Sequence, residues 1–213
     1  MNICYIILTC EKFLPTRAHW QNSTFLQKVN KKDVFFLSCK PSGENVYGWN
    51  TKDDYHSCPI KYMGFFVNME IEYDWYIFID DDTYMNTTNL TKYLKNYDST
   101  KKYYLGSSRF AQQWDLTYMS GGAGFCLSKP LYKSVTEYVR SKNHISELYC
   151  NYNGDVTLGS WVKKIPEVLY INETKFSANK HTSEEELIDF ISFHYLHTKE
   201  DYEFYYDKEL SIP

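Results

Sequence analysis

The run Trp75-Tyr76-Ile77-Phe78-Ile79, followed directly by Asp80-Asp81-Asp82, constrains this chain more than any other segment. Five aromatic and aliphatic residues in succession read as a buried strand. Carboxylates are among the side chains least often buried, so the chain must reach the surface at Asp80. Two carboxylates about 4 Å apart at an effective dielectric of ~20 repel by roughly 4 kcal/mol. Three at a strand end therefore need full solvent or a hard cation. Mg2+ and Mn2+ take carboxylate oxygens and complete their shells with water and substrate phosphates. In an open α/β sheet, a metal–diphosphate sits at the carboxyl end of such a strand. A solvated acidic turn is the other reading, and the triplet alone does not choose. A calcium loop of the EF-hand type is excluded, because counting from Asp80 puts Met85 where glycine is needed and Thr91 where glutamate is needed.

At 213 residues the chain can form one domain with a sizeable core. Its net charge of −4 and lack of any Lys/Arg run exclude a nucleic-acid-binding surface. Tyrosine occurs 21 times, enough for exposed rings as well as core ones; a sugar site or an AT-rich genome would each account for that. The cysteines (Cys4, Cys10, Cys39, Cys58, Cys126, Cys150) form no CxxC pair, so reduced thiols are expected in place of zinc. Residues 2–9 read as a first strand: the run is short, lacks a basic flank and shows no cleavage pattern. No stretch approaches a membrane span. Sequons at Asn22, Asn86, Asn89 and Asn172 carry no weight without an export signal. The expectation is a soluble, cytoplasmic chain.

Strand 3–9 is followed by Pro15 and a helix over roughly 16–30, a strand over 33–38, and a long loop over 40–58. A helix over about 60–72 then leads to the acidic strand. This β-α-β-α-β alternation predicts a right-handed, largely parallel sheet. Residues 87–97 read as a short helix capped by Thr87 or Thr88. Beyond them lie a strand at 103–106, a glycine turn at 121–124 before Phe125-Cys126-Leu127, and helices over 130–139 and 155–164. Residues 168–171 and 188–196 read as strands.

Three further segments carry chemistry. Gly121-Gly122-Ala123-Gly124 is either a tight turn or a place where backbone meets a ligand; it does not fit GxGxxG. Asp155, at the start of an apolar helix, is either an N-cap or a general base. His194, in Ser192-Phe193-His194-Tyr195, is either a satisfied core residue or an imidazole ligand to the cation. His197 lies three residues on, so in a strand it faces away, and only one of the two can point at a metal.

Together these blocks resemble an inverting GT-A glycosyltransferase of the family that includes Fringe and the core 1 β1,3-galactosyltransferases. The matching segments are Arg17-Ala18 with Thr24-Phe25, Trp75 through Tyr84, Tyr118 through Lys129, Asp155-Val156-Thr157-Leu158-Gly159, and Ser192-Phe193-His194-Tyr195. They follow the family's order over nearly the whole chain. Residues 9–17 lack the glycines of a sugar-nucleotide pyrophosphorylase.

The resemblance implies an α/β GT-A fold spanning 1–213, whether complete or part of a longer protein. A Rossmann-like nucleotide-binding half (1–100) with a mostly parallel sheet would merge with a smaller, mixed donor-sugar and acceptor half (101–213). It implies Asp82 and His194 as Mn2+ ligands helped by Asp80, with Mg2+ as the substitute. Asp80 and Asp81 would hold the ribose, Thr9 and Arg17 would line the nucleotide pocket, and Gly121-Gly122 would pass under the donor sugar. Asp155 would be the base. Trp114 is the acceptor platform by virtue of its aromatic face, or else a core residue. The implied partners are a UDP-sugar, carrying a hexose or deoxyhexose, and a glycan hydroxyl that gains a β-linkage. The alternative is a nucleotide-sugar- or glycan-binding module with little turnover. A chain this compact would suit a large DNA virus or a microbe glycosylating in its cytoplasm.

Overall fold

The computed structural model describes residues 1–151, 153–181 and 184–211. Its strands are β1 (Ile3–Leu8), β2 (Val34–Ser38), β3 (Val46–Gly48), β4 (Trp75–Asp80), β5 (Tyr84–Met85), β6 (Tyr103–Gly106), β7 (Ser108–Ala111), β8 (Leu116–Met119), β9 (Phe125–Ser128), β10 (Leu169–Asn172) and β11 (Ser192–Phe193). Its α-helices are α1 (His19–Ser23), α2 (Cys58–Asn68), α3 (Thr87–Leu94), α4 (Lys129–Arg140), α5 (Gly154–Val162), α6 (Glu184–Asp189) and α7 (Lys199–Ser211). Seven strands make one sheet in the order β10-β6-β9-β4-β1-β2-β3. Every neighbouring pair is parallel except those of β9, which runs antiparallel to both β4 and β6. The largely parallel α/β sheet expected from the strand–helix alternation is present.

Strands β1, β2, β4 and β9 are buried on both faces, which is why they read as continuous apolar runs. On one face Cys4 and Ile6 pack with Phe65 and Phe66 of α2, Val135 of α4 and Trp161 of α5. On the other, Tyr5 and Ile7 share a core with Leu90 and Leu94 of α3 and Tyr202 and Tyr205 of α7. Each side chain of this kind taken fully out of water contributes about 1.5–3 kcal/mol. Pro59 and Pro130 sit in the first turns of α2 and α4, where a missing N–H costs nothing.

Several elements differ from expectation. The helix at 16–30 is three short pieces: a π-turn at Leu14–Ala18, α1, and a 3-10 turn at Phe25–Lys28. Thr24 leaves helical geometry (φ −123, ψ −113) and its hydroxyl donates to the Trp20 carbonyl at 2.6 Å. The loop at 40–58 contains the edge strand β3, paired through Phe36↔Val46. α2 ends at Asn68, and α3 is capped by Asn86, whose Oδ1 accepts from the Asn89 N–H at 2.9 Å. The strand expected at 188–196 is the last residues of α6 plus the two-residue β11, and Tyr195 then turns the chain with φ 65. Helix α7 has no counterpart in the sequence reading.

The carboxyl ends of β2, β1 and β4 open on one edge of the sheet, with β1 between its sequence neighbour β2 and β4. That reversal of strand order leaves a crevice beyond Leu8 and Asp80. Antiparallel pairing of β5 with β11 (Tyr84↔Phe193, Met85↔Ser192) brings the segment from His194 onward to the crevice. Helix α7 is held there by Glu209, which accepts hydrogen bonds from Tyr84 (2.6 Å) and Lys28 (2.8 Å).

Candidate functional site

A cleft of about 670 Å³ opens at this edge, and Thr9, Arg17, Asp80, Asp81, Asp82, Gly121, Gly122, Asp155 and His194 all line it. Nine residues singled out along the sequence are thus brought to one place. Trp114 does not line the cleft; it lies on the β7–β8 hairpin in a 3-10 turn and is 36% exposed, which overturns its reading as a core tryptophan.

The three aspartates have separate environments. Asp81 is buried, accepts from the Thr9 hydroxyl at 2.7 Å and from Arg17 at 3.2 Å, and its backbone N–H donates to the Leu8 carbonyl. Burial pushes its pKa up to about 6 despite the bonds from Thr9 and Arg17. Asp82 takes the opposite course. Burial raises it, but the hydrogen bond and charge of His194, with help from Arg17, outweigh burial and leave it below the usual carboxylate range. Asp80 is raised well above its ordinary value by burial and then by the neighbouring Asp82 charge. For His194, burial favours the neutral ring, yet Asp82 and Asp80 together raise its pKa.

His194 Nε2 stands 3.0 Å from Asp82 Oδ1, and donor atoms of Asp80, Asp82 and His194 all lie within 4.8 Å of one another. Two carboxylates and an imidazole suit Mn2+ or Mg2+ in ligand type. The other ring nitrogen, Nδ1, faces the Ala178 carbonyl at 3.4 Å. A proton held there leaves the Nε2 lone pair for a cation, the arrangement that metal-binding histidines use. A charge-crowded carboxylate such as Asp80 is relieved by a divalent ion, so the donor set fits the group the resemblance implies. A second group, Glu11, Cys39 and Asp53, is largely exposed, and Lys40 already pairs with Glu11 at 2.9 Å.

The glycine turn fits against these ligands. A Cβ on Gly122 would lie 2.2 Å from the His194 ring, so only glycine leaves room for the imidazole. The Gly122 carbonyl accepts from the Thr83 hydroxyl at 2.8 Å, tying the turn to the acidic loop. The Gly121 N–H donates to Asp155 Oδ2 at 2.8 Å, and the Val156 N–H donates to Asp155 Oδ1 at 2.7 Å. Asp155 is therefore not the N-cap of α5, a position held by Asn153. Burial raises its pKa against the pull of those two N–H bonds.

Part of the cleft carries no signal in the sequence. Lys61, 2% exposed, donates to the Thr9 carbonyl (2.8 Å) and Asp53 (3.1 Å), while Asp53 also accepts from the Glu11 N–H. Phe13 lies under the Arg17 guanidinium at 4.0 Å. His197 was expected to face away, yet its Nδ1 accepts from Arg17 at 2.7 Å and lies 3.9 Å from Asp82. Strand β11 ends at Phe193 and Tyr195 has φ 65, so the two-residue alternation of a strand does not reach His197.

This sheet with its carboxylate-and-imidazole crevice is a GT-A fold. The chain belongs to the Fringe-like family, whose model matches residues 2–205. It is 34% identical over 138 residues to glycoprotein-N-acetylgalactosamine 3-beta-galactosyltransferase 1 of Xenopus laevis, covering 60% of this chain and 36% of that protein. It is 25% identical over 203 residues to the beta-1,3-N-acetylglucosaminyltransferase lunatic fringe of Gallus gallus, covering 81% of this chain and 54% of that one. The chain thus spans about half or less of those relatives' lengths. Among solved structures, a glycosyltransferase involved in glycosylation of the major capsid of PBCV-1 superposes with a TM-score of 0.52 at 12% identity, over 95% of this chain and 98% of that one. No helix among the described residues is long and apolar enough to cross a membrane.

Proposed function

We propose that this chain is a metal-dependent glycosyltransferase that moves a hexose or deoxyhexose from a UDP-sugar to a glycan hydroxyl, with inversion and formation of a β-linkage. The observation that carries the proposal is the placement of Asp155 in the same cleft as Asp80, Asp82 and His194, its carboxylate fixed by the Gly121 N–H at 2.8 Å. Membership of the Fringe-like family supports the reaction class, and the two relatives' printed names support a β1,3 product.

Asp82 and His194, with Asp80, would hold Mn2+ or Mg2+. When bound, the ion would supply positive charge to the diphosphate of the donor. Thr9 and Arg17 hold Asp81 in place for the ribose and present a fixed cation beside the acidic loop. The Gly121-Gly122 backbone leaves room for the donor sugar. Asp155 accepts the proton of the acceptor hydroxyl as its oxygen bonds to the anomeric carbon; the bond from that carbon to the diphosphate breaks, and UDP departs with the electron pair. A raised pKa makes Asp155 a stronger base than an ordinary carboxylate. Trp114, exposed on its hairpin, is the proposed acceptor platform.

A cytoplasmic location belongs to the same proposal, supported by six free thiols of which Cys4, Cys39, Cys58 and Cys126 are buried. The test is UDP release from a panel of UDP-sugars, with and without Mn2+, in wild type and Asp82→Ala. Mn2+-dependent release lost in the variant supports the reading. Release independent of metal overturns the metal role, and UDP binding without turnover on any acceptor turns the chain into a binding module.

A further inference from the structure

Twenty of the 23 basic side chains are lysines, so the three arginines stand out. Arg17 serves the cleft, and Arg140 donates to the Phe66 and Met69 carbonyls. Arg109, in β7, is exposed and has no hydrogen-bond or ion-pair partner among the described residues. A planar five-donor fork is better suited than lysine to a carboxylate met edge-on.

Its position is held by the fold. Arg109 is the cross-strand partner of Tyr118, so the two side chains share one face of the β7–β8 hairpin. Tyr118 Cβ packs against Gly159, at a distance of 2.6 Å from where a Cβ on that glycine would lie. Gly159 is one helical turn on from Asp155 along α5, on the same face. Three residues past Tyr118, the Gly121 N–H holds the Asp155 carboxylate. The hairpin's far end is tied to the end of α5 by Lys163, which bonds the Asp115 carbonyl and carboxylate, the latter at 3.3 Å. The hairpin is thus fastened to α5 at both ends, and a group bound on the Arg109–Tyr118 face is fixed relative to Asp155. The Tyr118 hydroxyl feels both charges: burial raises its pKa first, the Asp155 carboxylate raises it further, and Arg109 opposes them.

We propose that the Arg109–Tyr118 face of the hairpin is an acceptor subsite that reads an acidic sugar, with Arg109 pairing the acceptor's oxyanion while the attacking hydroxyl reaches Asp155. This deepens the reaction proposed above and rests on it. Ser120 and Gly121, which follow β8 directly, line the cleft, and the unpaired arginine on the strand paired with β8 supplies a charge that a neutral acceptor would not use.

Calorimetric titration of the protein with UDP and MnCl2 present separates the two proposals. The probes are p-nitrophenyl β-glucuronide, the matching 6-sulfated glucoside and the neutral glucoside. The expected result is binding of an acidic probe about 10- to 100-fold more tightly than the neutral one. That preference should collapse in Arg109→Gln, recover in part in Arg109→Lys, and persist in Lys92→Gln, which removes the same charge from the exposed face of α3. Glucuronide favoured over sulfate identifies a carboxylate as the group read; the reverse identifies a tetrahedral oxyanion. Equal binding of all three probes, binding of none, or an equal loss in Lys92→Gln overturns the subsite while UDP binding stands. Failure of UDP itself to bind with Mn2+ overturns the underlying reaction instead.

Discussion

His194 Nε2 lies 3.0 Å from Asp82 Oδ1, although one residue ends a turn after β4 and the other follows a two-residue strand far along the chain. Pairing of β5 with β11 makes the contact, and the Leu196 N–H donating to the Asp82 carbonyl at 3.0 Å holds it. The Gly122 turn packs directly on the His194 ring.

Gly122→Ala should therefore displace the imidazole without touching a ligand. Disturbing a group that orients a metal-bound histidine typically costs 10- to 100-fold in metal affinity. Calorimetry of Mn2+-dependent UDP binding should show a loss in that range, with His194→Ala at least as severe. Unchanged affinity in Gly122→Ala would mean that His194 does not act at the metal.

His197→Ala should also weaken UDP binding, by about 2- to 10-fold, because it removes a partner that holds Arg17. The loss should be smaller than for His194→Ala. An effect equal to that of His194→Ala would make His197 a ligand in its own right.

What could be read from the sequence follows the range of the interactions involved. The strand ending at Asp80 and the glycine turn are set by neighbouring residues, so their composition announces them. β3 has only three residues and one hydrogen-bonded neighbour, and it hides in a loop rich in Pro and Gly. The helix expected at 16–30 breaks where Pro15 and Thr24 impose local geometry. Helix α7 has no clear apolar stripe, because Glu209 is buried as a hydrogen-bond acceptor where an apolar residue would be read. Lys61 reads as an ordinary solvated lysine, and only its bonds to the Thr9 carbonyl, distant in sequence, and to Asp53, across a loop, show it buried and paired. Order along the chain united the nine cleft residues, but the direction of His197 depended on a single positive φ at Tyr195.

Glu209→Ala should destabilise the fold by about 1–3 kcal/mol, since it leaves the buried Tyr84 hydroxyl without its acceptor and Lys28 without its partner. Tyr84→Phe in that background should restore part of the loss, because it removes the orphaned hydroxyl. Chemical denaturation of the two single variants and the double variant measures this. Strictly additive losses would show that the two groups act independently.

Asp155→Asn tests the proposed base. The side chain accepts from both Gly121 and Val156, and an amide has only one acceptor oxygen, so a modest loss of melting temperature is expected. General-base catalysis contributes about 10²- to 10⁴-fold. Transfer should fall by that factor while UDP affinity stays within a few-fold. In wild type, kcat should fall as pH drops through the Asp155 pKa, and burial places that acid limb above the ordinary carboxylate range. The sign for stability is the reverse. A carboxyl with a raised folded-state pKa holds its proton more tightly than in the unfolded chain, so its contribution is full below the unfolded pKa. That contribution is lost as pH rises through the folded value. Asp155→Asn should therefore remove the acid limb of the rate profile and flatten this part of the stability profile together. A variant that keeps the acid limb, or transfers at the wild-type rate, would assign the base to another group.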